Sequence, residues 1–239
     1  MFTFLRGVFV LVLAPILTGF VSIVAIFMVG VLRRSAVEVQ FLPRGLGRAI
    51  ALLSGVCVNM TGAERLTPGR SYIFAANHQS QFDIFALQGY LGFDFRWMAK
   101  LELFKIPIFG PAMRMAGYIP VDRAHGRKAI KSLDEAAARI AGGTSVLIFP
   151  EGTRSPDGRL LPFKAGAMVL AIKAGVPLVP VAIVGTHQIL PKGKLLFKPG
   201  RVEIRVGEPI ETRNYSLKQK QELAELLQEK VAELQARSR

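Results

Sequence analysis

The chain has few of the residues that several common chemistries need. There is 1 cysteine, Cys57, in 239 residues, which excludes an internal disulfide framework and a cysteine-rich zinc site. The 3 histidines, His78, His125 and His187, form no HExxH pattern, so no metal ligand set is expected. No G-x-S-x-G elbow occurs, so a serine acyl-enzyme has no evident nucleophile. Acidic residues are scarce: 17 Asp+Glu stand against 31 Lys+Arg, for a formal charge of +14. Such an excess suits an anionic membrane surface, a phosphorylated substrate or nucleic acid. The basic residues are dispersed and carry no recognition-module signature, which argues against nucleic acid. Internal repeats and low-complexity linkers are absent.

Apolar residues are plentiful, at 51% with a mean hydropathy of +0.35. Gly7 to Leu32 carries no charge and is bounded by Arg6 and by Arg33-Arg34. A membrane span takes about 20 apolar residues, and this run is too long for the core of a signal peptide. Pro15 and Gly19 are points where it could bend. The stretch from Ala49 to Val58 is too short to span. It is expected as a short interfacial helix with Ala49, Leu52, Leu53 and Val56 on one face. Two topologies fit: a single span, or a helix pair dipping into one leaflet. Basic residues after the first run favour a cytoplasmic side for the remainder of the chain. Residues 1–58 are therefore expected to be membrane-anchoring helices, and 59–239 a globular domain. Cys57, in an apolar stretch, is expected to be structural.

The globular part alternates strand and helix signals. Tyr72–Ala76, Phe95–Lys100, Gly117–Arg123, Ser145–Phe149, Val176–Val184 and Val202–Val206 read as strands. Pro177 and Pro180 suggest an irregular or edge course for the fifth of these. Helices are expected over Ile84–Leu91, Pro107–Met115, Gly126–Ile140, Lys164–Ala174 and Leu217–Arg237. The alternation predicts an α/β fold with a mostly parallel or mixed sheet flanked by helices.

Three loops at expected strand ends carry chemistry. His78 follows the first strand, and Asp83 falls in the first turn of the next helix. A carboxylate there can fix one imidazole nitrogen and leave the other as a base. Asp122 and Arg123 end the third strand. Glu151-Gly152-Thr153-Arg154 follows the fourth, where glycine permits close backbone approach, threonine offers a hydroxyl and arginine forks onto phosphate oxygens. Lys100 ends the second strand and can add a point charge. In open α/β sheets, ligands bind at such ends.

These residues carry a resemblance. Asn77-His78-Gln79-Ser80-Gln81-Phe82-Asp83 resembles the NHx4D motif of the glycerolipid acyltransferases, and Phe149–Ser155 matches their FPEGTRS block. Gly117–Arg123 and Val176–Thr186 resemble two further blocks, all in the family's order over about residues 72–187. Pro120-Val121 departs mildly from the second block. Length and the apolar N-terminal segment are most like the bacterial 1-acylglycerol-3-phosphate acyltransferases. The resemblance implies that His78 takes the proton of the sn-2 hydroxyl of lysophosphatidate while Asp83 orients the imidazole. The oxygen would attack the thioester of acyl-CoA or acyl carrier protein, with no other cofactor. Arg154 and Lys100, with Arg123, would hold the acceptor phosphate, and Glu151, Gly152 and Thr153 would shape that pocket. The expected location is the inner membrane, with the catalytic domain facing the cytoplasm. Two rivals stand beside this reading: the same chemistry on another lysolipid, such as a lyso-ornithine lipid, and a non-enzymatic membrane lipid-binding protein.

Overall fold

The computed structural model describes residues 1–121 and 127–236. The helices are α1 (Phe2–Gly30), α2 (Phe41–Ser54), α3 (Phe82–Tyr90), α4 (Phe109–Met115), α5 (Arg127–Ala141), α6 (Ala165–Ala174), α7 (Thr186–Ile189) and α8 (Lys220–Ala236). The strands are β1 (Val56–Thr61), β2 (Ile73–Ala76), β3 (Arg96–Lys100), β4 (Ile119–Val121), β5 (Val146–Ile148), β6 (Leu178–Val184) and β7 (Gly200–Val206). They form one sheet in the order β1-β7-β6-β2-β5-β3-β4. Among the described strand pairs only β6–β7 is antiparallel. This is the mixed α/β sheet that the alternation of elements predicts. Strands β2 to β6 run the same way, so their carboxyl ends share one edge.

Side-chain alternation divides the core between the two faces. Phe74, Ala76, Trp97, Leu147, Val181 and Ile183 pack with α1, α2 and α3. Ile73, Ala75, Val146, Ile148 and Ala182 pack with α5, α6 and α8. The first layer is close because α2 and α3 meet through glycine. A Cβ on Gly47 would lie 2.5 Å from the Phe85 carbonyl oxygen, and one on Gly89 would lie 2.9 Å from the Arg48 nitrogen.

Helix α1 is long and apolar enough to cross a membrane, and only 22% of its most apolar window is buried. Val10 and Ala14 reach the core, while Phe4, Phe9, Phe20 and Phe27 stay exposed. Both ends rest on the domain. A Cβ on Gly7 would come 2.9 Å from the Phe197 carbonyl oxygen, and one on Gly30 would lie 3.7 Å from the Met115 Cε.

Three local expectations differ from the structure. The helix expected to Val58 stops at Ser54, because Gly55 takes a left-handed conformation (φ 68°). Val56 then enters the sheet opposite Gly200. Strand β6 is central, between β2 and β7, rather than an edge. Pro180 is tolerated because its carbonyl faces the β7 side, accepting from Gly207 N at 2.8 Å. Its missing N–H falls on that same side, just where the ladder ends at Val206. Cys57 is exposed rather than packed.

Candidate active site

His78 sits just beyond the end of β2, and Asp83 lies in the first turn of α3. Asp83 is fully buried. Its Oδ2 accepts from His78 Nδ1 at 2.7 Å, Gln79 N at 2.8 Å and Ser80 N at 2.9 Å. The helix dipole also favours a carboxylate there. A carboxylate only accepts, so Nδ1 carries the proton and Nε2 has its lone pair free. Among the described residues Nε2 has no protein hydrogen bond, and the His78 side chain is 14% exposed. This is the geometry of a general base open to a small hydroxyl.

The imidazole plane is set by aromatic packing. Phe149 lies flat on His78, with centroids 3.8 Å apart and an 8° interplanar angle. Trp97 stacks on Phe149 at 5.7 Å, and its indole N–H donates to Gln88 Oε1 at 2.6 Å. Gln88 belongs to α3, so one helix holds both the imidazole edge and the far end of the stack.

The loop after β5 brackets the main chain of His78. Glu151 Oε1 accepts from His78 N at 2.6 Å, and Ser155 N donates to His78 O at 2.8 Å. Glu151 Oε2 accepts from Leu161 N at 3.2 Å. Burial is the main cause that raises the Glu151 carboxyl to about 7, with the charge of Asp83 adding to it and the two backbone donors opposing it. Glu151 is 2% exposed and fully engaged, so it braces the loop and does not line a pocket. Gly152 turns the chain at φ 73°. Thr153 and Arg154 follow between the two bracketing contacts, Thr153 exposed and Arg154 half-buried. Lys192 Nζ reaches Arg154 O at 2.8 Å and Thr153 Oγ1 at 3.4 Å. A basic, hydroxyl-bearing segment thus adjoins the main chain of His78.

Lys100 lies at the same sheet edge, one strand beyond β5. Its alternation with Met98 assigns it to the α5–α6 face, whereas Trp97 and Phe149 belong to the face of His78. It is about half exposed and pairs with Glu102 at 3.5 Å. Arg123 lies outside the described residues. No group of metal-ligating side chains occurs among the described residues.

Sequence reasoning assigned no role to several residues that build the site. Asn77 donates to Ile183 O at 2.9 Å and accepts from Ile183 N at 2.7 Å, which extends the β2–β6 ladder through a side chain. Ser80 Oγ donates to Leu190 O at 2.7 Å and accepts from Phe82 N at 2.9 Å. Phe149, Trp97, Gln88 and Lys192 complete the surroundings. Asn77, Ser80 and Phe149 fall inside the two motif stretches, and Lys192 lies in the basic run Pro191-Lys192-Gly193-Lys194, but no such signal marks Trp97 or Gln88.

Comparison with known proteins adds a family context. A family model described as Acyltransferase matches residues 57–184. A chloroplast 1-acyl-sn-glycerol-3-phosphate acyltransferase of Brassica napus is 41% identical over 139 residues, covering 58% of this chain and 40% of that protein. One from Limnanthes alba is 34% identical, covering 72% of this chain and 61% of that protein. The chain thus spans between 40% and 61% of the length of these curated relatives. The crystal structure of a 1-acyl-sn-glycerophosphate acyltransferase from Thermotoga maritima superposes with a TM-score of 0.82 at 29% identity, covering 99% of this chain and 98% of that one.

Proposed function

The chain belongs to the acyltransferase family, and on that premise we propose that it transfers a fatty acyl group from an acyl thioester to the sn-2 hydroxyl of lysophosphatidate, yielding phosphatidate for phospholipid synthesis. The observation that carries this reading is the His78–Asp83 pair, with Nδ1 tied to a buried carboxylate at 2.7 Å and Nε2 free. Nε2 takes the hydroxyl proton as the oxygen attacks the thioester carbonyl carbon. Asp83 stabilises the imidazolium that forms. The tetrahedral adduct collapses, the C–S bond breaks, and the thiolate leaves with the proton from the imidazolium. No protein nucleophile takes part.

Arg154, Thr153 and Lys192 hold the acceptor phosphate. The exposed Lys100 adds positive charge at the same sheet edge, and Arg123 is assigned to the same acceptor by its charge. Coenzyme A or acyl carrier protein presents the acyl group, with no further cofactor. The N-terminal helices attach the protein to the inner membrane, and the domain whose sheet begins at β1 (Val56–Thr61) does the chemistry on the cytoplasmic side. Both ends of α1 rest on the domain, which supports a helix lying in one leaflet over one that crosses the bilayer. The test is a thiol-release assay on the purified full chain, crossing acyl-CoA and acyl carrier protein donors with lysophosphatidate, lyso-ornithine lipid and no acceptor. Release that depends on lysophosphatidate supports the reading. Release with lyso-ornithine lipid alone, or release indifferent to acceptor, rejects it.

A further inference from the structure

The largest group of exposed large apolar residues belongs to α1, but three others sit together elsewhere. Leu103, Ile106 and Ile108 are 38%, 43% and 47% exposed. They lie in the 3₁₀ turn Leu101–Lys105 and the short link to α4, at the carboxyl end of β3. That is the sheet edge that carries His78.

The segment is firmly held. Phe104, within it, is 1% exposed, and the Arg114 guanidinium lies 5.7 Å from its ring centroid. A Cβ on Gly110 would fall 2.2 Å from the Phe104 carbonyl oxygen, so only glycine allows α4 to close on the turn. Ile108 has φ 64° and ψ −57°, and Phe109 N donates across it to Pro107 O at 2.7 Å. This is the rarer, strained hand of γ-turn, on a β-branched residue that disfavours positive φ. The chain thus bears backbone strain while presenting aliphatic side chains to the outside. Water gives no return for that arrangement. Hydrocarbon does.

We propose that Leu103, Ile106 and Ile108 form a second membrane contact, a rigid wedge seated among the acyl chains of the leaflet that holds α1. The proposal rests on reading α1 as a membrane helix. The wedge is continuous with α1, because α4 comes directly after it and packs on α1. Its charges suit anionic headgroups: Lys105 and Arg114 are exposed beside it, and Arg33 and Arg34 are exposed at the end of α1. The consequence is functional. Two contacts fix a tilt where one does not, and this tilt brings the edge bearing His78 to the lipid surface.

The test is depth measurement by spin labelling of the full chain in vesicles of phosphatidylethanolamine and phosphatidylglycerol. Cys57→Ser removes the one native thiol, and Ile106→Cys, Phe20→Cys and Leu217→Cys each carry a nitroxide in turn. The wedge predicts that the labels at 106 and 20 relax with oxygen and are shielded from an aqueous nickel chelate, while the label at 217 is open to it. A label at 106 as open as that at 217, with the label at 20 shielded, overturns the wedge and leaves the anchor standing. Open labels at both 106 and 20 overturn the membrane reading and the wedge with it. Dipolar broadening between labels at 106, without lipid shielding, assigns the patch to a second copy and overturns the wedge. A functional arm uses Leu103→Ser, Ile106→Ser and Ile108→Ser together. Each aliphatic withdrawn from lipid costs roughly tenfold in partitioning, so turnover of vesicle-borne acceptor falls while turnover of a soluble short-chain acceptor holds. Equal loss on both acceptors overturns the proposal.

Discussion

Asp83→Asn isolates the charge of the catalytic pair with little change of shape. An asparagine oxygen in place of Oδ2 still accepts from His78 Nδ1, Gln79 N and Ser80 N, as the carboxylate does at 2.7, 2.8 and 2.9 Å. What disappears is the negative charge facing the imidazolium in the transition state. Two unit charges about 4 Å apart at an effective dielectric of 20 attract by about 4 kcal/mol. At about 1.36 kcal/mol per tenfold, the expected loss in kcat is about a thousandfold. Acceptor KM should stay nearly constant, since the interaction is made in the transition state. The amide nitrogen would take the place of Oδ1, which has no partner among the described residues. An unpaired buried donor costs about 1–3 kcal/mol, or roughly 2–12 °C in Tm for a chain of this size. The assay is acceptor-dependent thiol release at saturating donor, with calorimetry to confirm folding and His78→Ala as the inactive control. A folded Asp83→Asn protein that keeps more than about a tenth of the wild-type kcat would refute the charge-stabilised general base.

Three further outcomes are expected. Arg154→Ala should lower acceptor kcat/KM by about 10- to 150-fold, the value of a charge-assisted hydrogen bond, with Lys192→Ala milder; equal losses on an uncharged lysolipid would remove both from phosphate binding. Phe149→Leu should lower kcat by roughly 2- to 10-fold, the worth of an aromatic pair, while Phe149→Tyr retains it and Gln88→Leu shifts the emission of the one tryptophan, Trp97. An unchanged emission in Gln88→Leu would mean that the amide does not hold the indole. Glu151 is raised from the usual 4.5 to about 7 by burial, so its contribution to stability is present below about 4.5 and lost as pH rises through about 7. The difference in Tm between wild type and Glu151→Gln should therefore move against the wild type across that window, and a pH-independent difference would contradict the burial argument.

The strands were legible because burial on both faces leaves apolar runs such as Ile73–Ala76 and Val146–Ile148. Their flanking loops were legible because polar motifs interrupt those runs. Strand β1 was hidden because Val56 continues the apolar composition of α2, and only the conformation of Gly55 separates them. The central place of β6 was hidden because a proline signals only a missing donor. The relevant question is which side of the strand lacks the donor, and that depends on where β7 ends. The exposure of Cys57 was hidden for a related reason: its neighbours in sequence are apolar, but strand alternation turns it to the opposite face from Val56 and Val58.

In the site, residues close in sequence were readable and residues joined through space were not. His78 and Asp83 are linked by one turn of chain, so their spacing announced the pair. Phe149 and Glu151 belong to a recognisable block, yet their roles depend on β2 and β5 being neighbours. That adjacency puts Phe149 under the imidazole and Glu151 on the His78 amide. The two polar motifs are thus halves of one structure: Glu151 and Ser155 clamp the main chain of His78, and Arg154 lies between those clamps. The clamps use a buried carboxylate and backbone atoms, and none of them is the Arg154 side chain. A change at Arg154 is therefore expected to leave the His78 main chain in place, while a change at Glu151 removes one of its two clamps. Lys100 has no such tie to His78, since its alternation assigns it to the opposite face. A shared motif and a shared sheet edge do not by themselves establish a shared pocket.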